Sequence, residues 1–514
     1  MSKTIIIIGA GLAGLSAALQ AAENGCNVKL VSSLPSERAQ SVMAEGGINA
    51  ALNTKDENDS PEEHFTDTIK AACGLADQNA VWGMTQAAPE LVHWLLKLGV
   101  KFNMSGYDDV DLRNFGGQKK KRTAFAQSDT GKQIMTAMID AVRRKEASGM
   151  VERFSHHSFL TLRLCGNICC GCVIRDEYSQ ETVELPGDAV IVATGGMHGL
   201  FGNTTGSLSN TGEVTAELFR LGVPLANGEM IQYHPTTVKC GGKRMLISEA
   251  ARGEGGRLFA MKDGKQWYFM EEKYPELGNL MPRDITAREI WKVSHESEVF
   301  LDMTEISEEI ISNKLSGLAD DCMTYLHKDI RKEPVSVLPG IHYFMGGILV
   351  DEQHRTPIQN LYAAGECCAQ YHGANRLGGN SLLGALYGGR VAAKSACEQA
   401  DVVDLSCATQ IDFPPASQIS EIKQLNKVMQ ETMGVVRNEN TLLNGIQTVQ
   451  ALTGNLPLLG MAVLKSALAR KESRGAHWRE DYPKSNDDDY LKTTVARFDG
   501  KQIQISFVPV PERR

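Results

Sequence analysis

The first apolar stretch of the chain is interrupted by glycine. No residue from Thr4 to Ala22 carries a charge, and an unbroken apolar run of about 20 residues would predict a membrane-spanning helix. The glycines of the segment GAGLAG divide this stretch, so the pattern predicts a short buried β-strand over 4–8 and a helix that begins near Leu12. Since Lys3 is the only basic residue at the start, we expect neither a secretory signal nor direct membrane insertion.

Further apolar segments have the length of strands and end in small or polar residues. The segment 28–31 ends in Ser32 and Ser33, the segment 189–192 continues into ATGG, and the segment 360–364 ends in Gly-Glu. GAGLAG supplies a tight turn, a close backbone approach and a helix N-terminus that faces a pyrophosphate. The usual acidic ribose partner is absent after the second strand, so a hydroxyl must replace it. Three strand ends directed at one ligand favour FAD over NAD.

The remaining pattern predicts helices and exposed loops. Apolar positions over 418–452 recur at helical spacing, and Ser60-Pro61-Glu62-Glu63 reads as a helix start with proline in the first turn. No internal repeat is evident. We expect the polar stretch 53–59, the lysines 119–121 and the acidic residues 487–489 to form solvated loops.

Composition excludes several classes of function. The chain has 514 residues, 42% of them hydrophobic, which is enough for several domains with separate cores. The net charge of -9 gives no attraction for nucleic acid or anionic lipid, so we expect no nucleic-acid partner. Cys169 and Cys172 form a CxxC pair in a strand-like segment, without the repeated spacing of an iron-sulfur or haem motif. We expect buried structural cysteines and no metal site.

The segment HGANRLGGNSLL, from His372, carries the first chemical signal for a substrate. It places Arg376 on a loop of small residues directly before the polar start of a helix. A guanidinium presents paired donors that match a carboxylate. An arginine held beside a dinucleotide cofactor therefore suits the oxidation or reduction of a small carboxylate.

Motifs throughout the chain resemble those of the fumarate reductase and succinate dehydrogenase flavoprotein family, to which L-aspartate oxidase is related. The resemblance runs nearly end to end. The matching segments are SVMAEGGINAAL from Ser41, FGGQKKKRTAFA from Phe115, IQYHPT from Ile231, SEAARGEGG from Ser248, MPRD from Met281, GIHYFMGGI from Gly340, HGANRLGGNSL from His372 and ESRGAHWREDYP from Glu472. Within the last segment, Arg474 and His477 are expected to make a structural contact.

The resemblance implies an α/β fold with an interrupted domain. A Rossmann-like FAD-binding domain over 1–229 and 343–402 is expected to enclose an α+β capping domain over 230–342. A C-terminal helical domain over 415–485 and a tail over 486–514 would follow.

The resemblance also implies the residues that hold a C4 dicarboxylate and move its proton. His342 and Arg376 would bind one carboxylate, and His234 and Ser248 the other. Reduction of fumarate would proceed by hydride transfer from FAD N5 and protonation by Arg283. Because guanidinium rarely releases a proton, Glu249 and Arg252, three residues apart on one helical face, would return it.

The family pattern assigns the FAD contacts to the strand ends and to the segment around Gln40. The expected cofactor-binding residues are Gly9, Ala10, Gly11, Leu12, Ala13, Gly14, Ser33, Gln40, Ser41, Ala44, Glu45, Gly46, Gly47, Ser158, Phe159, Glu213, Glu366, Ser381 and Leu382. Members of membrane complexes carry a covalently flavinylated histidine where this chain has Gln40. An amide cannot form that bond, so we expect noncovalent FAD.

These features favour fumarate reduction and leave alternatives open. A covalent bond raises the flavin potential and helps succinate oxidation, so its loss favours the reductase over a succinate dehydrogenase subunit. L-Aspartate oxidase carries a glutamate at the position of Phe115. A non-catalytic flavin electron-transfer subunit would not need the complete set of dicarboxylate-binding residues His234, Ser248, His342 and Arg376, which we call the clamp. The family implies an iron-sulfur partner subunit and a location in the cytoplasm, either free or peripheral to a membrane through that partner.

Overall fold

The structure is a computed structural model that describes residues 2–106, 109–401, 411, 413 and 418–513. The expected domain limits at residues 1, 402, 415 and 514 lie outside the described residues.

Helices occur along the whole described chain and are numbered in order. They are α1 (Leu12–Glu23), α2 (Pro61–Ala71), α3 (Gln78–Lys97), α4 (Thr130–Ala147), α5 (Glu213–Arg220), α6 (Glu249–Gly253), α7 (Phe269–Lys273), α8 (Arg283–Val293), α9 (Glu308–Lys314), α10 (Ser316–Asp321), α11 (Asn380–Gln399), α12 (Ile419–Thr432), α13 (Glu439–Val449), α14 (Asn455–Ala469) and α15 (Asp487–Tyr490).

Strands alternate with these helices. They are β1 (Thr4–Ile8), β2 (Asn27–Ser32), β3 (Ile48–Asn49), β4 (Leu112–Arg113), β5 (Thr123–Ala124), β6 (Val151–Ser155), β7 (His157–Cys165), β8 (Ile168–Asp176), β9 (Thr182–Pro186), β10 (Ala189–Val192), β11 (Leu225–Ala226), β12 (Ile231–Cys240), β13 (Lys243–Leu246), β14 (Arg257–Lys262), β15 (Lys265–Trp267), β16 (Val299–Asp302), β17 (Val335–Ser336), β18 (Leu338–Phe344), β19 (Gly347–Leu349), β20 (Leu361–Ala363), β21 (Cys368–Ala369), β22 (Lys492–Phe498) and β23 (Ile503–Pro509).

A parallel sheet in the order β20-β10-β1-β2-β6 forms the centre of the Rossmann-like region. Its inner strands are runs of Ile, Val and Leu because both of their faces are buried. The apolar helices α1 and α11 belong to the core cluster that packs on this sheet. All carboxyl ends of a parallel sheet lie at one edge, and this geometry places a ligand there.

The capping region is inserted between β11 and β19 and has a core of its own. Its sheets have the orders β13-β12-β18 and β15-β14-β16-β17, and the short helices α6 to α10 surround them. Ile290, Leu301 and Ile311 belong to this separate apolar cluster. The FAD-binding region interrupted by an α+β cap, with helices following it, confirms the expected fold class.

The C-terminal region combines helices with a returning hairpin. α12, α13 and α14 pack around Leu425, Leu442 and Leu459. After the short helix α15, strands β22 and β23 join the sheet β21-β19-β11-β22-β23. The last part of the described chain therefore completes a sheet that begins in the FAD-binding region.

The loop predictions were wrong at two places. Asp59, expected in a solvated loop, is buried, and its Oδ1 lies 2.8 Å from Nη2 of the fully buried Arg122. A buried guanidinium needs a carboxylate partner, and sequence proximity did not reveal this pair. Residues 487–489 are exposed, as expected, but they form the start of the short helix α15 instead of a loop, and Asp487 pairs with Arg474.

The described residues contain neither a membrane-spanning helix nor a cluster of metal ligands. None of their helices is both long and apolar enough to cross a lipid bilayer. The same residues contain no group of three or more histidine, cysteine, aspartate or glutamate side chains placed to hold a metal ion. Cys169 and Cys172 are buried free thiols in β8.

Candidate active site

A cavity of about 990 Å³ lies at the carboxyl edge of the parallel sheet and continues beneath the cap. The chain segments that follow β1, β2, β10 and β20 line one part of it. Residues from β12, β13, β18 and α8 line the other part. The volume is at the upper end of the range for sites that bind small molecules and cofactors.

The turn between β1 and α1 has the geometry of a pyrophosphate site. A Cβ atom on Gly9 would lie 2.3 Å from the carbonyl oxygen of Ala193, and one on Gly14 would lie 1.8 Å from that of Gly9. Only glycine fits at both positions. Gly11 caps α1 without a side-chain hydrogen bond, so the first turn keeps backbone N–H groups available for an anion.

The structure brings the predicted cofactor residues together. All of them except Gly14 line the cavity, and Gly14 packs beneath the turn. The lining residues are Gly9, Ala10, Gly11, Leu12, Ala13, Ser33, Gln40, Ser41, Ala44, Glu45, Gly46, Gly47, Ser158, Phe159, Glu213, Glu366, Ser381 and Leu382. Arg38, Arg175 and Tyr178 also line the cavity and were not among the predicted residues, because nothing in their local sequence distinguishes them from surface residues.

The three acidic residues of this group have different environments. Glu366 accepts a hydrogen bond from the backbone N–H of Phe344 over 3.1 Å. Burial raises the pKa of Glu213. Burial, reinforced by the nearby Asp321, raises the pKa of Glu45 from 4.5 to about 8. The raised pKa favours the protonated form of Glu45 at neutral pH.

Two histidines face each other at the cap end of the cavity. The rings of His234, on β12, and His342, on β18, are nearly perpendicular with centroids 5.2 Å apart. Nδ1 of His342 lies 2.8 Å from Oγ1 of Thr205, whereas Nε2 of His234 is buried and has no partner among the described residues. Burial and the nearby Arg283 hold the pKa of both imidazoles well below their usual value, so both are neutral at neutral pH.

Arg376 and Ser248 contribute to the same part of the cavity. The Arg376 guanidinium lies over the ring of Tyr343, 4.3 Å from its centroid. Its buried Nε has no partner among the described residues, and burial followed by repulsion from Arg283 lowers its pKa to about 9. Oγ of Ser248 accepts a hydrogen bond from the N–H of Ala250 and caps α6. Arg376 therefore keeps a hydrogen-bond donor for an anion.

Arg283, at the start of α8, shares a carboxylate with Arg252. Its Nε donates to Oε2 of Glu249 over 2.7 Å, and Nη2 of Arg252 lies 3.4 Å from Oε1 of the same carboxylate. Burial alone would raise the pKa of Glu249, but the two guanidinium charges outweigh burial and lower it. Arg283 and Glu249 line the cavity, whereas Arg252 lies behind Glu249 and does not.

Gln232, which the sequence did not single out, connects the Arg283 side chain to the loop that carries Arg376. Its Nε2 donates to the carbonyl oxygen of Arg376 over 2.8 Å and to Oδ1 of Asn375 over 3.0 Å. Its Oε1 accepts from Nη1 of Arg283 over 3.1 Å. The available sequence signal was its position in IQYHPT, two residues before His234. In the structure this glutamine is fully buried.

Comparisons with known families first define the class of protein. A family described as FAD binding domain matches residues 4–382, and one described as fumarate reductase flavoprotein C-term matches residues 452–513. The first match contains the glycine turn and most of the cavity lining. The chain is a flavoprotein oxidoreductase.

Individual relatives define the family more closely. The chain is 38% identical to the succinate dehydrogenase flavoprotein subunit of Bacillus subtilis, with 100% of this chain and 98% of the relative covered. It is 32% identical to the 8-methylmenaquinol:fumarate reductase flavoprotein subunit of Wolinella succinogenes, with 100% and 92% covered. A solved variant of FrdA from E. coli quinol fumarate reductase has a TM-score of 0.90 at 27% identity, with 100% and 97% covered. The chain belongs to the succinate dehydrogenase/fumarate reductase flavoprotein family.

Proposed function

We propose that this protein binds FAD noncovalently and reduces fumarate to succinate. The observation that carries the proposal is the convergence of four groups, His234, His342, Arg376 and Arg283, in the cavity that also contains the dinucleotide-binding turn. Two carboxylates leaving water need fixed donors at both ends of a C4 acid. His342 and Arg376 serve one end, and His234 and Ser248 serve the other.

The proton follows a short route through buried charges. Arg283 donates to the substrate carbon, and Glu249, which is hydrogen bonded to Nε of Arg283, returns a proton to it. Glu249 is ionised because the Arg283 and Arg252 guanidinium groups lower its pKa. It takes a proton from Arg252, which lies 3.4 Å from its other oxygen, and passes it to Arg283; solvent then replaces the proton on Arg252. FAD bound in the cavity and reduced by the electron donor would supply the hydride from N5. Gln232 fixes the relative positions of Arg283 and the Arg376 loop.

The assignment of FAD contacts rests on the fit of the cavity. The α1 N-terminus would hold the pyrophosphate, Glu366 the ribityl hydroxyls, and the α11 N-terminus the flavin ring. Gln40 lines the cavity, and its amide cannot form a covalent link to the flavin. Acid precipitation of the protein is expected to release all yellow colour; colour that stays with the pellet would overturn the noncovalent assignment.

The preferred direction of the reaction is inferred from Gln40. Without a covalent bond the flavin potential is lower, which favours giving electrons to fumarate. Succinate oxidation is the second candidate because the 38% identical relative is named a succinate dehydrogenase subunit. Initial rates with reduced viologen and fumarate, compared with succinate and an artificial acceptor, test the direction. A higher rate of succinate oxidation would reverse our assignment.

Phe115 argues against L-aspartate oxidase. Its buried ring lines the cavity and lies against Gly46 and Gly378, where a carboxylate would be needed for the substrate ammonium. Aspartate with oxygen is expected to give no hydrogen peroxide, and peroxide formation would favour the oxidase. The complete clamp also argues against a non-catalytic electron-transfer subunit.

We further propose that an iron-sulfur subunit exchanges electrons with this chain. The relatives are named flavoprotein subunits. Such a protein would lie in the cytoplasm, either free or at the membrane surface through its partner. Copurification of an iron-containing subunit from the native source tests this; a chain that purifies alone at full activity with the physiological donor would contradict it.

A further inference from the structure

The hairpin β12–β13 forms one wall of the cavity. Two basic side chains lie along it, outside the substrate clamp. Ser248 lies at its inner end, just after β13. Met245, Arg244, Lys243 and Cys240 continue the cavity lining along the hairpin. Lys243 is exposed and Arg244 is half-buried. This wall therefore leads from solvent toward the clamp past two positive side chains.

Arg244 is fixed in place. Its Nε donates to Oγ1 of Thr237, and its Nη2 donates to the carbonyl oxygens of Thr237 and Leu338 over 3.3 and 3.2 Å. Gly340 makes the space for it, because a Cβ atom there would lie 2.5 Å from the Arg244 Nε. The hydrogen bonds hold a side chain that would otherwise lose rotamer freedom on binding a ligand.

The charge of Arg244 is not balanced by a carboxylate. In the part of the chain that the structure describes, its side-chain hydrogen bonds all go to uncharged oxygens. Arg283 and Arg252, by contrast, share Glu249. A fixed, half-buried guanidinium without a counter-charge raises the local concentration of anions in a cleft. Arg244 lines the same cavity as His234, His342 and Arg376, so its charge acts on an anion that enters there.

We propose that Arg244 forms an outer anion subsite that holds one carboxylate of an incoming C4 dicarboxylate before the acid moves into the clamp. This inference rests on the proposed function. Lys243 adds positive potential at the mouth of the cavity. Arg244 keeps its Nη1 group for a carboxylate, since among the described residues only Nε and Nη2 make hydrogen bonds. The subsite increases the rate at which the dianion is captured and takes no part in hydride or proton transfer.

Charge and geometry at Arg244 can be separated with two variants and a matched control. Arg244→Gln removes the charge, and Arg244→Lys keeps it. Lys501→Gln removes one positive charge from an exposed residue after β22 that does not line the cavity. The measurements are kcat/KM for fumarate and the association rate of malonate, followed by flavin absorbance, in FAD-loaded protein at low and high salt.

We expect Arg244→Gln to lower both quantities by about threefold to tenfold at low salt, mainly through KM, with most of the difference lost at about 0.5 M salt. Arg244→Lys should retain most of the wild-type rate, and Lys501→Gln should match wild type. Equal losses in the Lys and Gln variants at all salt concentrations would show a structural role and overturn the proposal. Wild-type rates in Arg244→Gln would also overturn it. Failure of the wild-type protein to bind malonate or reduce fumarate would instead contradict the proposed function.

Discussion

The buried arginines of the cavity differ in how their charge is compensated. Glu249 lies between Arg283 and Arg252, whereas Arg376 stacks on Tyr343 and keeps a free donor. This difference fits a division between a proton-carrying arginine and a carboxylate-binding one. Motif order predicted which residues meet here, and the structure adds their hydrogen-bond partners.

The proton role of Arg283 can be tested by Arg283→Lys. Lysine keeps a positive charge but lacks the planar fork that contacts Glu249 and Gln232. We expect FAD content to be unchanged and fumarate turnover to fall at least about a hundredfold, the usual contribution of a positioned general acid. Full activity in this variant would remove Arg283 from the proton-transfer step.

A substitution at Gln232 tests whether Arg283 and Arg376 must be held in fixed relative positions. Gln232→Leu removes the hydrogen bonds to Arg283 and to the Arg376 loop, so we expect kcat/KM for fumarate to fall about tenfold to a hundredfold, with losses in both kcat and KM. Gln370→Leu is the control, because Gln370 is a buried glutamine that does not line the cavity. Equal kinetics for the two variants would contradict the positioning role.

Glu45 predicts a pH-dependent stability. Its pKa is about 8 in the folded protein and 4.5 when unperturbed, so between these values the native state binds more protons than the unfolded state. The free energy of unfolding therefore falls as pH rises, by up to about 1.4 kcal/mol per pH unit for one group. Glu45→Gln lacks this group. Urea unfolding midpoints at pH 5 and pH 8 should show that the variant is more stable relative to wild type at pH 8 than at pH 5. The same difference in midpoint at both pH values would contradict the raised pKa of Glu45.

At the scale of elements, strong local sequence signals were sufficient to predict the position of a helix or strand. The strand Thr4–Ile8 and the helix start at Leu12 were predicted where they occur, because the isoleucine run and the glycine turn leave few alternatives. Ser60 caps α2 by accepting a hydrogen bond from the N–H of Glu63, as its motif indicated. The helical pattern of 418–452 is divided into α12 and α13, separated by a turn that spacing alone did not locate.

Gly14 tests the contact between the glycine turn and α1. Because the new Cβ would lie 1.8 Å from the carbonyl oxygen of Gly9, Gly14→Ala should displace the turn, lower the thermal midpoint and abolish FAD retention. Gly434→Ala is the control, since its Cβ would meet its nearest neighbour at an ordinary 3.7 Å. Normal FAD content in Gly14→Ala would contradict the requirement for close packing.

At the scale of the whole molecule, the C-terminal chain contacts the loop that carries Arg376. The N–H of Ala476 donates to the carbonyl oxygen of Ala374, two residues before Arg376. Nδ1 of the buried His477 lies 2.8 Å from Nη1 of Arg437. The local sequence did not predict β22 and β23, because their pairing with β11 joins parts of the chain that are far apart in sequence.

Removal of this hairpin should destabilise the whole fold. Thr494, on β22, donates to the buried Glu229 over 2.6 Å, and the same carboxylate accepts from Arg470 over 2.7 Å. A chain ending at residue 486 would leave these buried charges with fewer partners. We expect little soluble protein, compared with a normal yield for a chain ending at residue 511. Equal yields and equal thermal midpoints would show that the hairpin is dispensable.

The most direct test is whether fumarate reoxidises the bound flavin. FAD-loaded protein is reduced with a stoichiometric amount of dithionite and mixed with fumarate without oxygen, and the absorbance of oxidised flavin near 450 nm is followed. We predict rapid recovery of the absorbance with fumarate and its suppression by excess malonate. Recovery with ferricyanide but none with fumarate would contradict the account, because it would show a functional flavin without a working dicarboxylate site.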